Sequence, residues 1–276
     1  MQSFPHSTPI VLTIAGSDSG GGAGIQADIK AISATGGYAC SVITAITAQN
    51  TRGVSAIFPI PIEHVAHQLD AVFSDLDVVA VKVGMLADAD IIRVVAEKIR
   101  QYRPRYLVVD PVMVATSGDL LLAQDAISTL KSDLLPLASV VTPNLPEGAA
   151  LTDSAIPQNT AEMAEMVAGL RTLGAASVLL KGGHLEADEK STDLLIQQTH
   201  VEHFSARRIS TNNTHGTGCT LSSALASYLA QGHDLYSAVR SAKAYISEAI
   251  AHADKLNVGK GHGPVNHFFN GYQTLR

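Results

Sequence analysis

A chain of 276 residues, 46% hydrophobic and 16% charged, can bury a large core, and its Ala- and Val-rich make-up suits a sheet covered on both faces. A formal charge of −6 with no Lys/Arg cluster argues against nucleic acid or an anionic membrane surface as a partner. No apolar run approaches the roughly 20 residues that span a bilayer, residues 1–9 lack the order of a signal peptide, and two distant cysteines, Cys40 and Cys219, point to a reducing cytoplasm.

Ile10–Ala15 reads as a buried strand, followed by a loop with five glycines (Gly16, Gly20, Gly21, Gly22, Gly24) and a helix over Ile25–Ala34. The loop carries Asp18, Gln26 and Asp28, and its backbone is free to lie close to a ligand. Gly22-x-Gly24-x-x-Ala27 meets a loose dinucleotide pattern, but the ribose-binding acid is missing downstream and no GxxxxGK[ST] loop occurs. Cys40–Thr47 is the second strand, and Gln49 just beyond it offers an amide that both donates and accepts, suited to the edge of an aminopyrimidine or pyridine ring. A helix over Ile62–Phe73 leads to a strand over Val78–Val83. There Met85 either lines an apolar pocket or fills the core.

Ala89–Tyr102 has helical period, and Tyr106–Asp110 is a strand that places the Asp110 carboxylate at its end, with Pro111 stopping the pairing. A helix is expected over Leu121–Leu134 and a strand over Ser139–Thr142. Asn144 and Glu147 then open a short helix. Their spacing suits two oxygens on one Mg²⁺ and its waters, or equally a capping box. After a helix over Ala161–Leu173, the strand Ser177–Lys181 ends in Lys181-Gly182-Gly183-His184, a wall for a nucleotide phosphate or a turn with a solvated lysine. Leu185–Ser210 is more polar, with edge strands at Leu194–Gln198 and Glu202–Phe204.

The loop Asn213–Thr220 runs into a small-residue helix over Leu221–Ala230, and Leu235–Lys255 forms another helix. A helix start leaves N–H groups unpaired and partly positive, so Gly216, Thr217, Gly218 and Cys219 can cradle a phosphoryl group. The same location predicts a lowered thiol pKa and an accessible thiolate at Cys219. The alternative is a tight turn with a buried thiol.

Strands and helices alternate without a separating linker, which predicts a mainly parallel sheet in one domain over residues 1–276, with ligands at the carboxyl ends of the strands. Taken in order, the Gly20–Asp28 loop, Thr47–Thr51, Lys82–Met85, Thr142–Glu147, Lys181–His184 and Thr214–Thr220 resemble the hydroxymethylpyrimidine and phosphomethylpyrimidine kinases of thiamine biosynthesis, in the ribokinase-like superfamily. The resemblance implies a three-layer α/β/α sandwich. It further implies ATP- and Mg²⁺-dependent phosphorylation of 4-amino-5-hydroxymethyl-2-methylpyrimidine and then of its monophosphate, by a homodimer. By the same likeness Gly16, Asp28, Gln49, Met85 and Val112 form the pyrimidine site, Asp110, Asn144 and Lys181 border the nucleotide phosphates, and Glu147 organises the metal. Gly216, Thr217 and Gly218 form the anion hole. Cys219 stands where sugar kinases of the superfamily usually carry an aspartate base. A pyridoxal kinase is the competing activity; a non-catalytic pyrimidine sensor and an NAD-dependent dehydrogenase are more distant alternatives.

Overall fold

The structure is a computed structural model that describes residues 8–113, 126–183, 185 and 189–271. Its strands are β1 (Ile10–Asp18), β2 (Tyr38–Asn50), β3 (Gly53–Pro59), β4 (Val78–Val83), β5 (Tyr106–Val109), β6 (Val140–Val141), β7 (Val178–Leu180), β8 (Lys190–Ile196) and β9 (Val201–Arg207). Among the described residues these nine form one sheet in the order β3-β2-β1-β4-β5-β6-β7-β8-β9. The run from β2 to β7 is parallel, and β3, β8 and β9 add antiparallel edges. The helices are α1 (Gly24–Ala34), α2 (Ile62–Asp75), α3 (Ala89–Tyr102), α4 (Ala126–Thr129), α5 (Leu145–Thr152), α6 (Thr160–Glu165), α7 (Val167–Arg171), α8 (Thr217–Ala230) and α9 (Leu235–Ala251).

Strand alternation sorts the apolar residues into two layers. Leu12, Ile14, Val81, Val83, Leu107 and Val109 pack against α2, α3 and the Leu130–Leu134 π turn on one face. Val11, Ala80, Val108 and Val140 face α1, α8 and α9 on the other. Burying both faces gives the near-continuous apolar strands expected of a parallel sheet, and the result is a three-layer α/β/α sandwich.

Two features depart from the expectation. Strand β2 continues past Thr47 to Asn50 and returns through β3, an element for which the sequence carries no expectation. Most of β3 is exposed and its apolar residues fall on both faces, so it carries no alternating pattern to read. The expected helix over Ala161–Leu173 is divided at Met166 into α6 and α7, and Leu121–Asp125 of the expected helix over Leu121–Leu134 lie outside the described residues.

Candidate active site

From β1 the chain reaches β2 on one side of the sheet and then β4 on the other, so neighbouring connections leave in opposite directions. That divergence opens a crevice at the carboxyl ends of the strands. A cleft of about 2430 Å³ occupies it, lined at one end by Gly16, Gln49, Met85 and Val112 and further along by Asp110, Asn144, Glu147, Lys181 and residues 216–219. Single drug-sized ligands fill roughly 300–1,000 Å³, so there is room for a nucleotide and a small ring side by side.

The start of α8 is built as an anion cradle. Its N-cap, Gly216, has φ 80° and offers no capping side chain. A Cβ at Gly216 would stand 1.8 Å from the Gly22 carbonyl oxygen, so the site demands glycine for conformation and for close approach of the two loops. The Thr217 N–H and hydroxyl both turn back to the Thr214 carbonyl, at 3.2 and 2.6 Å, while the Thr220 N–H bonds Gly216. The N–H groups of Gly218 and Cys219 remain as first-turn donors without intrahelical acceptors. A Cβ at Gly218 would lie 3.3 Å from Lys181 Nζ and 3.4 Å from Asp110 Oδ2, so that glycine keeps a charged pair beside the cradle.

That pair is Lys181–Asp110 at 2.8 Å, with the Thr142 hydroxyl donating to Asp110 at 3.0 Å. Burial alone would raise the Asp110 carboxyl, but the ammonium groups of Lys181 and Lys82 outweigh it and hold the group below the usual carboxylate range. Next to them Asn144 and Glu147 form a capping box: Glu147 Oε2 accepts from the Asn144 N–H at 2.7 Å, and Asn144 Oδ1 accepts from the Glu147 N–H at 2.8 Å. Burial pushes the Glu147 carboxyl up to about 7; Lys181 opposes the rise and Asp110 adds to it. With its pKa raised in the folded state, Glu147 contributes stability at low pH that is lost as pH rises through about 7. Stripped of divalent cations, Glu147→Gln is expected to melt roughly 5 °C above the wild type at about pH 8 and nearly level with it at about pH 5. Calorimetry showing one offset at both pH values would remove this account of Glu147.

At the other end of the cleft the glycine loop is folded around Asp18. Its carboxylate accepts from the N–H groups of Gly20, Gly22 and Ala23 at 2.8, 3.0 and 2.8 Å and lies 2.9 Å from His215 Nε2. Burial works to raise the Asp18 pKa, and the bonds from His215 and the loop amides overcome it, leaving a lowered value. Gln49 Oε1 accepts from the Thr47 hydroxyl at 3.1 Å, and its amide nitrogen lies 3.5 Å from His215. A Cβ at Gly16 would come 3.2 Å from Met85 Cε, so the glycine leaves space for the thioether to lie over the strand end.

Comparison with known proteins places this architecture. The family model for phosphomethylpyrimidine kinase matches residues 18–266. The chain belongs to the phosphomethylpyrimidine kinase family. It is 56% identical over 261 residues to the hydroxymethylpyrimidine/phosphomethylpyrimidine kinase of Rhizobium meliloti (strain 1021), covering 95% of this chain and 97% of that relative. It is 54% identical over 264 residues to a thiamine biosynthesis bifunctional protein of Geobacter sulfurreducens, covering 96% of this chain and 53% of the relative. Among solved structures, the pyridoxal kinase of Staphylococcus aureus in complex with AMP-PCP and pyridoxal is similar with a TM-score of 0.88 and 33% identity, over 97% of this chain and 96% of that one.

In this phosphomethylpyrimidine kinase family member two expectations need correction. Asp28, expected at the pyrimidine, is fully buried and does not line the cleft; its carboxylate is taken by Thr13, Ser223 and Lys82. The Cys219 thiol is not activated by its position at a helix start: burial pushes it up to about 11, against the pull of Lys82. His215 and Lys82 join the site as well, through Asp18 and Asp28. A lysine inside an apolar strand was the available signal for Lys82; for His215 there was none, since its partner Asp18 is 197 residues away.

Proposed function

We infer that this chain is the hydroxymethylpyrimidine/phosphomethylpyrimidine kinase of a thiamine-forming route, transferring the γ-phosphoryl group of ATP to 4-amino-5-hydroxymethyl-2-methylpyrimidine and then to its monophosphate. The observation that carries the reading is 56% identity over 95% of the chain to a kinase of that name, joined to a cleft with an anion cradle beside a small polar pocket. Gln49 reads the ring edge, Gly16 near the end of β1 and the glycine loop after it back the ring, and Met85 and Val112 wall it. The ATP phosphates lie against the Gly218 and Cys219 N–H groups and Lys181, where fixed donors meet the charge that develops during transfer. The substrate oxygen bonds to the γ-phosphorus as the bond to the ADP oxygen breaks, and the hydroxyl proton passes to the Cys219 thiolate.

The oxygen donors Glu147 and Asn144 fit Mg²⁺, because Glu147 is a buried carboxylate whose charge is incompletely compensated, and a divalent cation supplies what Lys181 does not. Bound there together with phosphate oxygens and water, Mg²⁺ would neutralise charge on the nucleotide. The reading also takes residues 1–276 as one kinase domain working in the cytoplasm. Among the described residues no helix is long and apolar enough to cross a membrane. It includes a homodimer, which the outward apolar pair Ile46 and Phe58, matched across β2 and β3 and 49% and 63% exposed, would support. A light-scattering mass of a single 28.9 kDa chain would remove the dimer.

The solved pyridoxal kinases, similar at a TM-score of 0.88, keep phosphorylation of pyridoxal as the second reading. ADP release measured with the hydroxymethylpyrimidine, its monophosphate and pyridoxal, each with and without Mg²⁺, separates the two. Comparable Mg²⁺-dependent rates on the first two and little on the third are expected; the reverse ranking would overturn the assignment.

A further inference from the structure

Lys82 lies inside the sheet at 0% exposure, among the largest side chains that solvent does not reach. Its Nζ is 2.9 Å from both oxygens of the equally buried Asp28. Asp28 is held in turn by the Thr13 hydroxyl at 2.6 Å and the Ser223 hydroxyl at 2.7 Å. Thr13 and Lys82 are register partners across β1 and β4, so their side chains rise from the same face, the one covered by α1 and α8. Ser223 follows Cys219 by four residues and shares its stripe of α8, which puts the Lys82–Asp28 pair one helical turn beneath the thiol. Cys219 is partly exposed to the cleft, and Lys82 borders its floor from beneath, closed off from solvent. Gly84, two residues beyond Lys82 on the same strand face, keeps room for the ammonium: a Cβ there would stand 2.8 Å from Nζ.

A buried ion pair contributes little stability relative to well-packed apolar side chains, so its position calls for another use. We propose that Lys82, fixed by Asp28, is a positioning residue for proton transfer, supplying the counter-charge to the Cys219 thiolate that takes the proton of the substrate hydroxyl. The proposal rests on the reading of Cys219 as proton acceptor. Four charged groups act around the thiol. Lys82 on β4 draws it toward ionisation, while Asp28 on α1 and Asp110 after β5 oppose. Lys181 after β7 is itself drawn by the cysteine's charge. The pull of Lys82 exceeds the push of Asp28, although burial outweighs both.

Among the chain's two cysteines, Cys40→Ser leaves Cys219 as the sole thiol, so its ionisation can be followed by thiolate absorbance and by the rate of iodoacetamide alkylation. In that background Lys82→Met is expected to slow alkylation at about pH 9 by at least tenfold, one pKa unit being tenfold in thiolate, and Lys82→Arg to restore most of the rate. Turnover of the hydroxymethylpyrimidine should fall at least tenfold further than that of the monophosphate, whose acceptor oxygen is already ionised. Should Lys82→Met unfold because Asp28 is left unpaired, the apolar replacement Lys82→Met with Asp28→Leu is expected to shift the titration the same way by a smaller amount. An unaltered titration in a folded variant, or equal loss on both acceptors, overturns the proposal. A shifted titration with undiminished alcohol turnover overturns instead the reading of Cys219 as proton acceptor.

Discussion

Cys219→Ala is expected to separate the two phosphorylations, lowering turnover of the hydroxymethyl alcohol by ~10²–10⁴ and leaving that of the monophosphate within about threefold. The reason lies in the acceptors. An alcohol must lose its proton as its oxygen attacks, whereas a phosphate monoester has a second pKa of about 6 and presents an ionised oxygen at neutral pH. A thiol pushed up to about 11 is scarce as thiolate but strong as a base once formed. Wild-type turnover of the alcohol should therefore climb through the alkaline range, while that of the monophosphate stays flatter. Steady-state rates on the two acceptors between about pH 7 and pH 9.5 check both points. A parallel loss on both would mean that Cys219 serves the cradle rather than the proton.

The second large effect is expected at Gly216. Its φ of 80° is strained for alanine, and the added Cβ would overlap the Gly22 carbonyl oxygen at 1.8 Å. The loops must part, which displaces the first-turn donors from the phosphoryl group and the glycine loop from the ring. Loss of one such donor costs about 10²–10³ in kcat, and Gly216→Ala should cost at least that, with a raised KM for the pyrimidine. Gly232→Ala is the control, since Gly232 has φ 90° but nothing within 4 Å of its Cβ position. There the backbone strain should appear as roughly 1 kcal/mol of lost stability with activity retained. Equal activity losses in the two variants would show that strain alone, not contact between the loops, explains Gly216.

What the sequence disclosed follows from the locality of the signals. A parallel sheet places polar strand-end residues along one edge, so Gln49, Asp110, Glu147 and Lys181 could be assigned to a common cleft before their distances were known, and the structure lines the cleft with all four. The Asn144–Glu147 spacing left a choice between a cap and a cation site. The capping box is present, and the burial of Glu147 leaves its carboxylate with charge still to be balanced. What escaped was tertiary. The family resemblance puts Asp28 at the ring, and nothing local says that Lys82, 54 residues on, takes both its oxygens. The helix-start rule points to a low pKa for Cys219 and has the wrong sign, because the rule counts the dipole and not the desolvation of the thiol. The clasp between Asp18 and His215, which ties the glycine loop to the anion cradle, joins residues 197 apart and leaves no trace in spacing.

The central claim is that one cleft phosphorylates the same pyrimidine twice. Phosphorus NMR of the wild-type protein with limiting hydroxymethylpyrimidine and excess ATP and Mg²⁺ tests it most directly. The expected course is a phosphate monoester signal that rises and gives way to a diphosphate pair, with two ADP formed for each pyrimidine consumed. A reaction that stops at the monoester with a single ADP, or leaves the pyrimidine untouched while pyridoxal is phosphorylated, would contradict it.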